Sequence, residues 1–144
     1  MQKLGWKQSY SVGVEEIDRQ HQRLLEIIND FEATRLQPAV SEDIFVVLNS
    51  LIKYADENFA TEERYLVKYD FPQTVQHQKE HVQFTIEVFK LAQRLSKHDP
   101  NIREEITDFL LGWYRSHVLE TDQRYKDHIR KKMKEGAAGN APQA

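Results

Sequence analysis

Four stretches of this chain repeat apolar residues at intervals of three and four positions, the period of an α-helix with one buried face. The first begins at about Glu15 and ends before Gln37-Pro38, and the second follows Ser41 and ends at Asp70-Phe71-Pro72. The third runs from there to Asp99-Pro100, and the fourth follows that proline. Because proline is tolerated at the start of a helix but not inside one, these positions separate the segments. The sequence therefore predicts four amphipathic helices.

Short connections between such helices favour an all-α protein, an up-down-up-down four-helix bundle. We predict one domain over residues 1–134, which includes an N-terminal arm at 1–14 without helical period and a short basic helix over 122–134. Residues 135–144 are rich in glycine and alanine and are predicted to form a disordered, flexible tail. Five glycines and four prolines in 144 residues are too few for the many tight turns of an all-β protein.

Each apolar stripe contains polar residues that a core would reject. They are His21 in the first stripe, Asn58 and Glu62 in the second, His77 and His81 in the third, and His117 in the fourth. Burying such groups without partners costs several kcal/mol each, so they need one another or a metal ion. In an alternating bundle these positions share one end, and Asp122 joins them if the fourth helix ends there. We expect all seven side chains at one level.

The residue types at this level indicate the kind of metal. The chain has no cysteine, which excludes thiolate zinc sites, iron–sulfur clusters and disulfides. Imidazoles and carboxylates suit iron, manganese or zinc better than calcium or magnesium. His77 and His81 are one helical turn apart and can hold one ion, whereas Glu62 and Asp122 come from different elements and suit a bridge between two ions.

Over roughly residues 6–128 the chain resembles the bacterial hemerythrins. The resemblance rests on Trp6, Tyr10 and the segment from there to His21, on NFATEE at 58–63, on HQKEHVQF at 77–84 and on WYRSHVLETDQRY at 113–125. It implies a hemerythrin-like domain with two Fe ions, an oxo- or hydroxo-bridged di-iron centre that binds O2 reversibly. One iron would take His77, His81 and His117, the other His21, and Glu62 and Asp122 would bridge them.

The chain departs from the family at one ligand. Where the family has a histidine four residues before the bridging glutamate, on the iron that binds O2, this chain has Asn58. Neither His98 nor His128 is expected to replace it, and both are predicted to be surface residues. The predicted metal ligands are therefore His21, Asn58, Glu62, His77, His81, His117 and Asp122. An amide oxygen is a weak donor, so Asn58 either binds iron poorly or leaves its place to water.

Several alternatives remain open on the sequence. His77-Gln-Lys-Glu80-His81 fits the H-x-x-E-H pattern of inverted zinc peptidases, which also need a third ligand and a substrate cleft. A ferritin-like bundle would need Glu-x-x-His pairs, which this chain lacks. An interaction module that has lost its metal is a third alternative. A fourth is a peroxide- or nitric-oxide-reactive enzyme, whose site is opened by Asn58, in place of a protein for O2 carriage, storage or sensing.

Three carboxylates near the candidate ligands have simpler expected roles. Glu63 and Glu80 are predicted to be solvated surface residues. Asp18 either hydrogen-bonds the His21 ring or supports the helix dipole from the first turn.

The remaining features limit the partners. A net charge of -3 gives no electrostatic case for nucleic acid. The longest apolar run is about five residues, far short of the ~20 that cross a membrane, and the first residues lack the apolar segment of a signal peptide. We expect a cytoplasmic protein, a monomer or small homo-oligomer, that binds O2 and neither nucleic acid nor membrane.

Overall fold

The predicted four-helix bundle is confirmed. The computed structural model describes residues 4–34, 41–97 and 99–139. Helix α1 spans Glu15–Ala33, α2 spans Ser41–Lys68, α3 spans Thr74–Ser96 and α4 spans Ile102–Trp113. Each helix packs against the next, and α4 returns to α1, which gives the up-down-up-down topology. No helix in the described part of the chain is long and apolar enough to cross a membrane.

The larger core lies along the bundle axis and takes its side chains from the four predicted stripes. Leu24, Leu51, Phe84 and Leu110, one from each helix, are at most 1% exposed. Burial of a side chain of this size stabilises the fold by about 1.5–3 kcal/mol relative to exposure. The helical period therefore predicted correctly which faces turn inward.

Asp122 was expected to join the site if the fourth helix ended there, but the helix continues past this residue. A π-helix, Tyr114–Thr121, continues α4 and leads through Asp122 into α5, Gln123–Gly139. The backbone at Asp122 is right-handed helical, with φ -66° and ψ -29°. The basic helix predicted at 122–134 is thus the continuation of the fourth helix, and it extends into the predicted tail; residues 140–144 lie outside the described part.

A second, smaller apolar cluster lies on the other side of the polar level. It contains Val12, Val14, Ile17, Leu66, Phe71, Tyr125 and Ile129. Ile17 precedes His21 by one turn and Leu24 follows it by one turn, so the polar residues lie between two apolar clusters and not at an open end. Val12 and Val14 of the N-terminal arm cover this side of the polar level. They flank a turn at Gly13, whose φ of 81° favours glycine.

The fourth helix begins slightly later than the sequence predicts. Asp99-Pro100 was expected to open the fourth helix, whereas α4 begins at Ile102. The Asp99 carboxylate accepts a hydrogen bond from the main-chain N–H of Asn101 at 2.9 Å and another from Arg94 Nε. Asp99 therefore orders the turn before the helix.

Candidate metal centre

Six of the seven predicted ligands converge at one level of the bundle, although they come from different helices. His21 comes from α1, Glu62 from α2, His77 and His81 from α3, His117 from the π-helix, and Asp122 from the residue after it. All six are at most 2% exposed. Ligating atoms of Glu62, His77, His81, His117 and Asp122 all lie within 4.8 Å of one another.

The two carboxylates divide their oxygens between two sets of histidines. Glu62 Oε2 lies 3.3 Å from His77 Nε2 and 2.9 Å from His81 Nε2. Asp122 Oδ1 lies 3.0 Å from His77 Nε2 and 3.1 Å from His117 Nε2. The other oxygens, Glu62 Oε1 and Asp122 Oδ2, lie 3.2 Å and 3.1 Å from His21 Nε2. Two carboxylates so placed can bridge two cations, at what we call the three-histidine position and the His21 position.

Several of these buried atoms lack a hydrogen-bond partner in the described part of the chain. They are His81 Nε2, His117 Nε2 and both oxygens of Asp122. The atoms approach their neighbours closely, but their geometry does not form hydrogen bonds. A buried polar group left unsatisfied costs about 1–3 kcal/mol. A cation between nitrogen and oxygen would satisfy them together, and this donor set fits iron, manganese or zinc.

Without a metal, the carboxylates of the site keep protons on His21 and His77. Burial by itself lowers the pKa of His21, but the adjoining carboxylates of Asp122 and Glu62 outweigh it and raise the pKa to about 10. The same balance raises the pKa of His77 to about 10. Burial favours the neutral form of Glu62, yet contacts with His21, His77 and His81 hold its pKa well below the usual range. A metal ion entering here must displace protons from histidine.

Three residues that the sequence analysis did not assign to the site support it from outside. Glu80 Oε2 lies 2.7 Å from His117 Nδ1, and Glu63 Oε2 lies 3.3 Å from His81 Nδ1. The Tyr125 hydroxyl donates to Glu62 Oε1 at 3.0 Å. The prediction that Glu63 and Glu80 are solvated surface residues was wrong, because both face a ligand of a neighbouring helix. Carboxylates behind a ligating histidine orient its ring and raise its basicity.

Aromatic rings hold two of the imidazoles in place. Phe59 stacks on His81 with ring centroids 3.9 Å apart and an angle of 4° between the planes. Trp113 stacks on His117 at 3.9 Å and 9°. Phe59 and Trp113 thus act as the apolar wall of the site as well as members of the core region.

The remaining sequence-predicted residues have other partners. The Asp18 carboxylate accepts hydrogen bonds from Ser11 Oγ and the Val12 main-chain amide at 2.5 and 2.9 Å, in place of the expected bond with the His21 ring. It also lies in the first turn of α1, where a negative charge is favourable to the helix dipole. His128 Nε2 lies 2.6 Å from the Tyr69 carbonyl, away from the ligand cluster. His98 lies outside the described residues.

Asn58 lies one turn before Glu62 and is fully buried. Its Nδ2 donates to Gln20 Oε1 at 2.9 Å, and its Oδ1 accepts from the Tyr54 hydroxyl at 3.1 Å. These two hydrogen bonds, and not a contact with the histidines, are what the structure shows for the amide. Metal binding by Asn58 stays a prediction.

Comparison with known proteins agrees with this geometry. The family model described as the hemerythrin HHE cation binding domain matches residues 12–129. The chain belongs to the hemerythrin family. A bacteriohemerythrin from Clostridium acetobutylicum is similar to it, with 31% identity over 127 residues that cover 85% of this chain and 98% of the relative.

More distant relatives extend the same family assignment. A bacteriohemerythrin from Stenotrophomonas maltophilia is 26% identical over 129 residues, which cover 88% of this chain and 82% of the relative. A hemerythrin-like protein from Naegleria gruberi is 24% identical over 123 residues, covering 85% and 91%. The chain is therefore a hemerythrin-family protein with a buried histidine and carboxylate cluster that can hold metal, as in non-haem iron proteins. The family assignment replaces the zinc-peptidase and ferritin-like alternatives.

Proposed function

We propose that this hemerythrin is a non-haem di-iron protein that binds O2 reversibly, for oxygen carriage, storage or sensing. The observation that carries the proposal is the division of the Glu62 and Asp122 oxygens between His21 and the three other histidines. That division supports two metal positions joined by two shared carboxylates. When bound, two ferrous ions would supply the two electrons that O2 takes up and returns.

The ligands are matched to this task by charge and position. His77, His81 and His117 would hold one iron, and His21 would hold the second. Glu62 and Asp122, together with a solvent-derived oxo or hydroxo bridge, offset most of the charge of two ferrous ions, so that the loaded site is tolerable between two apolar clusters. Tyr125 donates to Glu62 Oε1 and keeps that oxygen turned toward His21.

The wall of the site favours a reversible reaction over turnover. Leu24, Leu25, Ala55 and Phe84 are at most 4% exposed, and Trp113 covers the His117 ring. A wall of this kind limits water at the site, and water promotes the loss of reduced oxygen and the oxidation of iron. We expect the protein to act in the cytoplasm, with O2 as its ligand and as a monomer or small homo-oligomer.

Oxygen titration of the anaerobically reduced, iron-loaded protein tests the proposal. We expect uptake of about one O2 for each pair of irons, with an absorption change that reverses on deoxygenation over several cycles. A variant that loses a ligand, His81→Ala, serves as the control and should take up less O2. Permanent oxidation at the first exposure to O2 would contradict reversible binding while leaving the metal centre intact.

The bonding of Asn58 favours one further candidate, a peroxide- or nitric-oxide-reactive centre. Its amide is engaged by Gln20 and Tyr54, so within the described part of the chain the His21 position has His21 and one oxygen from each carboxylate as donors. A position with fewer protein donors is more open to small molecules. Steady turnover of added peroxide, compared with the lifetime of the O2 adduct, separates this enzyme from an O2 carrier.

A further inference from the structure

We propose that Asn58 is held by Gln20 and Tyr54 and is not a metal ligand, and that the His21 position therefore keeps a coordination site for water or a small anion. Gln20 and Tyr54, which hydrogen-bond Asn58, also line a pocket on the surface between α1 and α2. The inference rests on the proposed function, because it takes two metal positions as given.

The two metal positions differ in the number of protein donors around them. The three-histidine position has three imidazoles and two carboxylate oxygens, all within 3.3 Å of at least one other member. The His21 position has one imidazole and two oxygens, at 3.2 and 3.1 Å. Iron in such sites takes more donors than three, so solvent or an added ligand must complete the His21 position.

Asn58 is the sequence-predicted candidate for a further ligand, but both ends of its amide are hydrogen-bonded. The Tyr54 hydroxyl donates to Oδ1, and Nδ2 donates to Gln20. To turn its oxygen to a metal, Asn58 would leave the buried Tyr54 hydroxyl without its acceptor, at a cost of about 1–3 kcal/mol. The amide nitrogen cannot bind the metal in place of the oxygen, because it donates hydrogen bonds and has no free lone pair.

A chain of hydrogen bonds holds this amide from the far side. Gln20, which accepts from Asn58, donates in turn to Thr61 Oγ1 at 2.9 Å. Thr61 donates to the Glu57 carbonyl at 2.8 Å, which ties the chain to the backbone of α2. Rotation of Asn58 would therefore disturb α1 and α2 together. We infer that these bonds keep the side chain where it is when metal binds.

Two residues that bond to Asn58 also line a surface pocket of about 270 Å³. Gln20 and Tyr54 line the pocket on one side and bond to Asn58 on the other. Arg19 and Arg23 also line it, together with Glu16 and Glu57, so the charges of its lining balance. A water molecule occupies about 30 Å³ of liquid, so the pocket admits water and anions of a few atoms. Azide is a suitable probe of this size.

Anaerobic calorimetry with Fe2+ alone, supported by elemental analysis, tests whether Asn58 ligates. We expect native protein to bind a second ion at least ~10-fold more weakly than the first. Asn58→Ala should leave both affinities within about threefold, and Asn58→His should tighten only the second ion, by at least ~10-fold. Because only one of two affinities changes, a general loss of packing cannot imitate this result.

The matched control is Asn29→Ala. The Asn29 amide also makes two hydrogen bonds, with the main-chain nitrogen and oxygen of Leu4 at 2.8 Å each, two turns along α1 from His21. Its replacement removes the same number of amide bonds without approaching the metal positions. We expect it to lower thermal stability and to leave both Fe2+ affinities unchanged.

Azide binding to the oxidised, iron-loaded protein tests the open coordination site at the His21 position. Asn58→His should lower the saturating number of azides per chain by about one, because an imidazole then occupies the place that solvent held. Unchanged azide stoichiometry in Asn58→His would overturn the inference.

The remaining outcomes separate this inference from the proposed function. If Asn58→Ala weakens the second ion about tenfold or more while Asn29→Ala does not, Asn58 is a ligand and the inference is wrong, but the di-iron centre stands. A native protein that binds no iron, or one iron at saturation, overturns the di-iron proposal and this inference with it.

Discussion

The main-chain amide of Asp122 donates a hydrogen bond to the carbonyl oxygen of His117, 2.8 Å away and five residues back. This is the spacing of a π-helix, in which one turn contains an extra residue. In an α-helix, residues five apart diverge by about 140°, since successive residues turn by about 100°. The wider turn brings both side chains to the same point, where His117 Nε2 lies 3.1 Å from Asp122 Oδ1.

Insertion of one alanine after Leu119 should therefore damage the metal centre. The insertion places His117 and Asp122 six residues apart, and in an α-helix residues six apart diverge by about 120°. We expect the protein to lose at least one bound iron and to keep its helical content. Elemental analysis and far-ultraviolet circular dichroism measure the two quantities.

Insertion of one alanine after Glu135 is the matched control. Glu135 is exposed on α5, far along the chain from His117 and Asp122, so this insertion also lengthens a helix by one residue. Iron content should stay at the native value. Equal iron content in both insertion variants would show that the register between His117 and Asp122 is not needed for the site.

Glu80 should contribute more to metal affinity than Glu63. Glu80 lies 2.7 Å from the outer nitrogen of His117, whereas Glu63 lies 3.3 Å from that of His81. Loss of a carboxylate behind a ligating histidine typically weakens metal binding by about 10–100-fold. We predict a fall within this range for Glu80→Gln and a smaller fall for Glu63→Gln, measured as Fe2+ dissociation constants. The reverse order would mean that these contacts do not govern affinity.

Metal binding should release protons and strengthen as the pH rises. His21 and His77 have a pKa of about 10 in the metal-free protein, and both must be neutral to bind iron. Calorimetry at about pH 8 in buffers of different ionisation enthalpy should therefore show release of about two protons from these residues. Binding without proton release at this pH would contradict the raised pKa values.

The same shifts set the sign of the pH dependence of stability without metal. The pKa values of His21 and His77 are raised on folding from 6.5 to about 10, so their protonation stabilises the metal-free fold fully below pH 6.5. This contribution is lost as the pH rises from 6.5 through about 10. Urea unfolding of the chelator-treated protein across that interval should show falling stability, and iron-loaded protein should show a smaller fall. A flat profile without metal would count against the shift.

Removal of iron should also lower the melting temperature. A ligand at about one hundred times its dissociation constant stabilises a fold by about 2.7 kcal/mol. For a chain of this size that corresponds to roughly 5–10 °C. Scanning calorimetry with and without a chelator measures the shift, and His81→Ala should reduce it. A melting temperature indifferent to chelation would favour an interaction module without a functional metal centre.

The local sequence was enough to predict the helices and the inward-facing candidate ligands. An apolar residue every three or four positions requires a helix with one buried face, and His21, Glu62 and His77 occupy that face in their own segments. Their convergence at one level follows from the alternating directions of successive helices. These properties depend on neighbours within one helix, which the sequence displays directly.

Tertiary structure decided the features that depend on another helix. The π-helix forms where His117 and Asp122 must face one point, and no residue type between them indicates the extra residue. Glu80 became a partner of His117 because α3 packs beside the fourth helix, and Asn58 turned to Gln20 because α1 lies against α2. Each of these hydrogen bonds joins residues far apart in the chain, so only the packing of the helices could choose the partner.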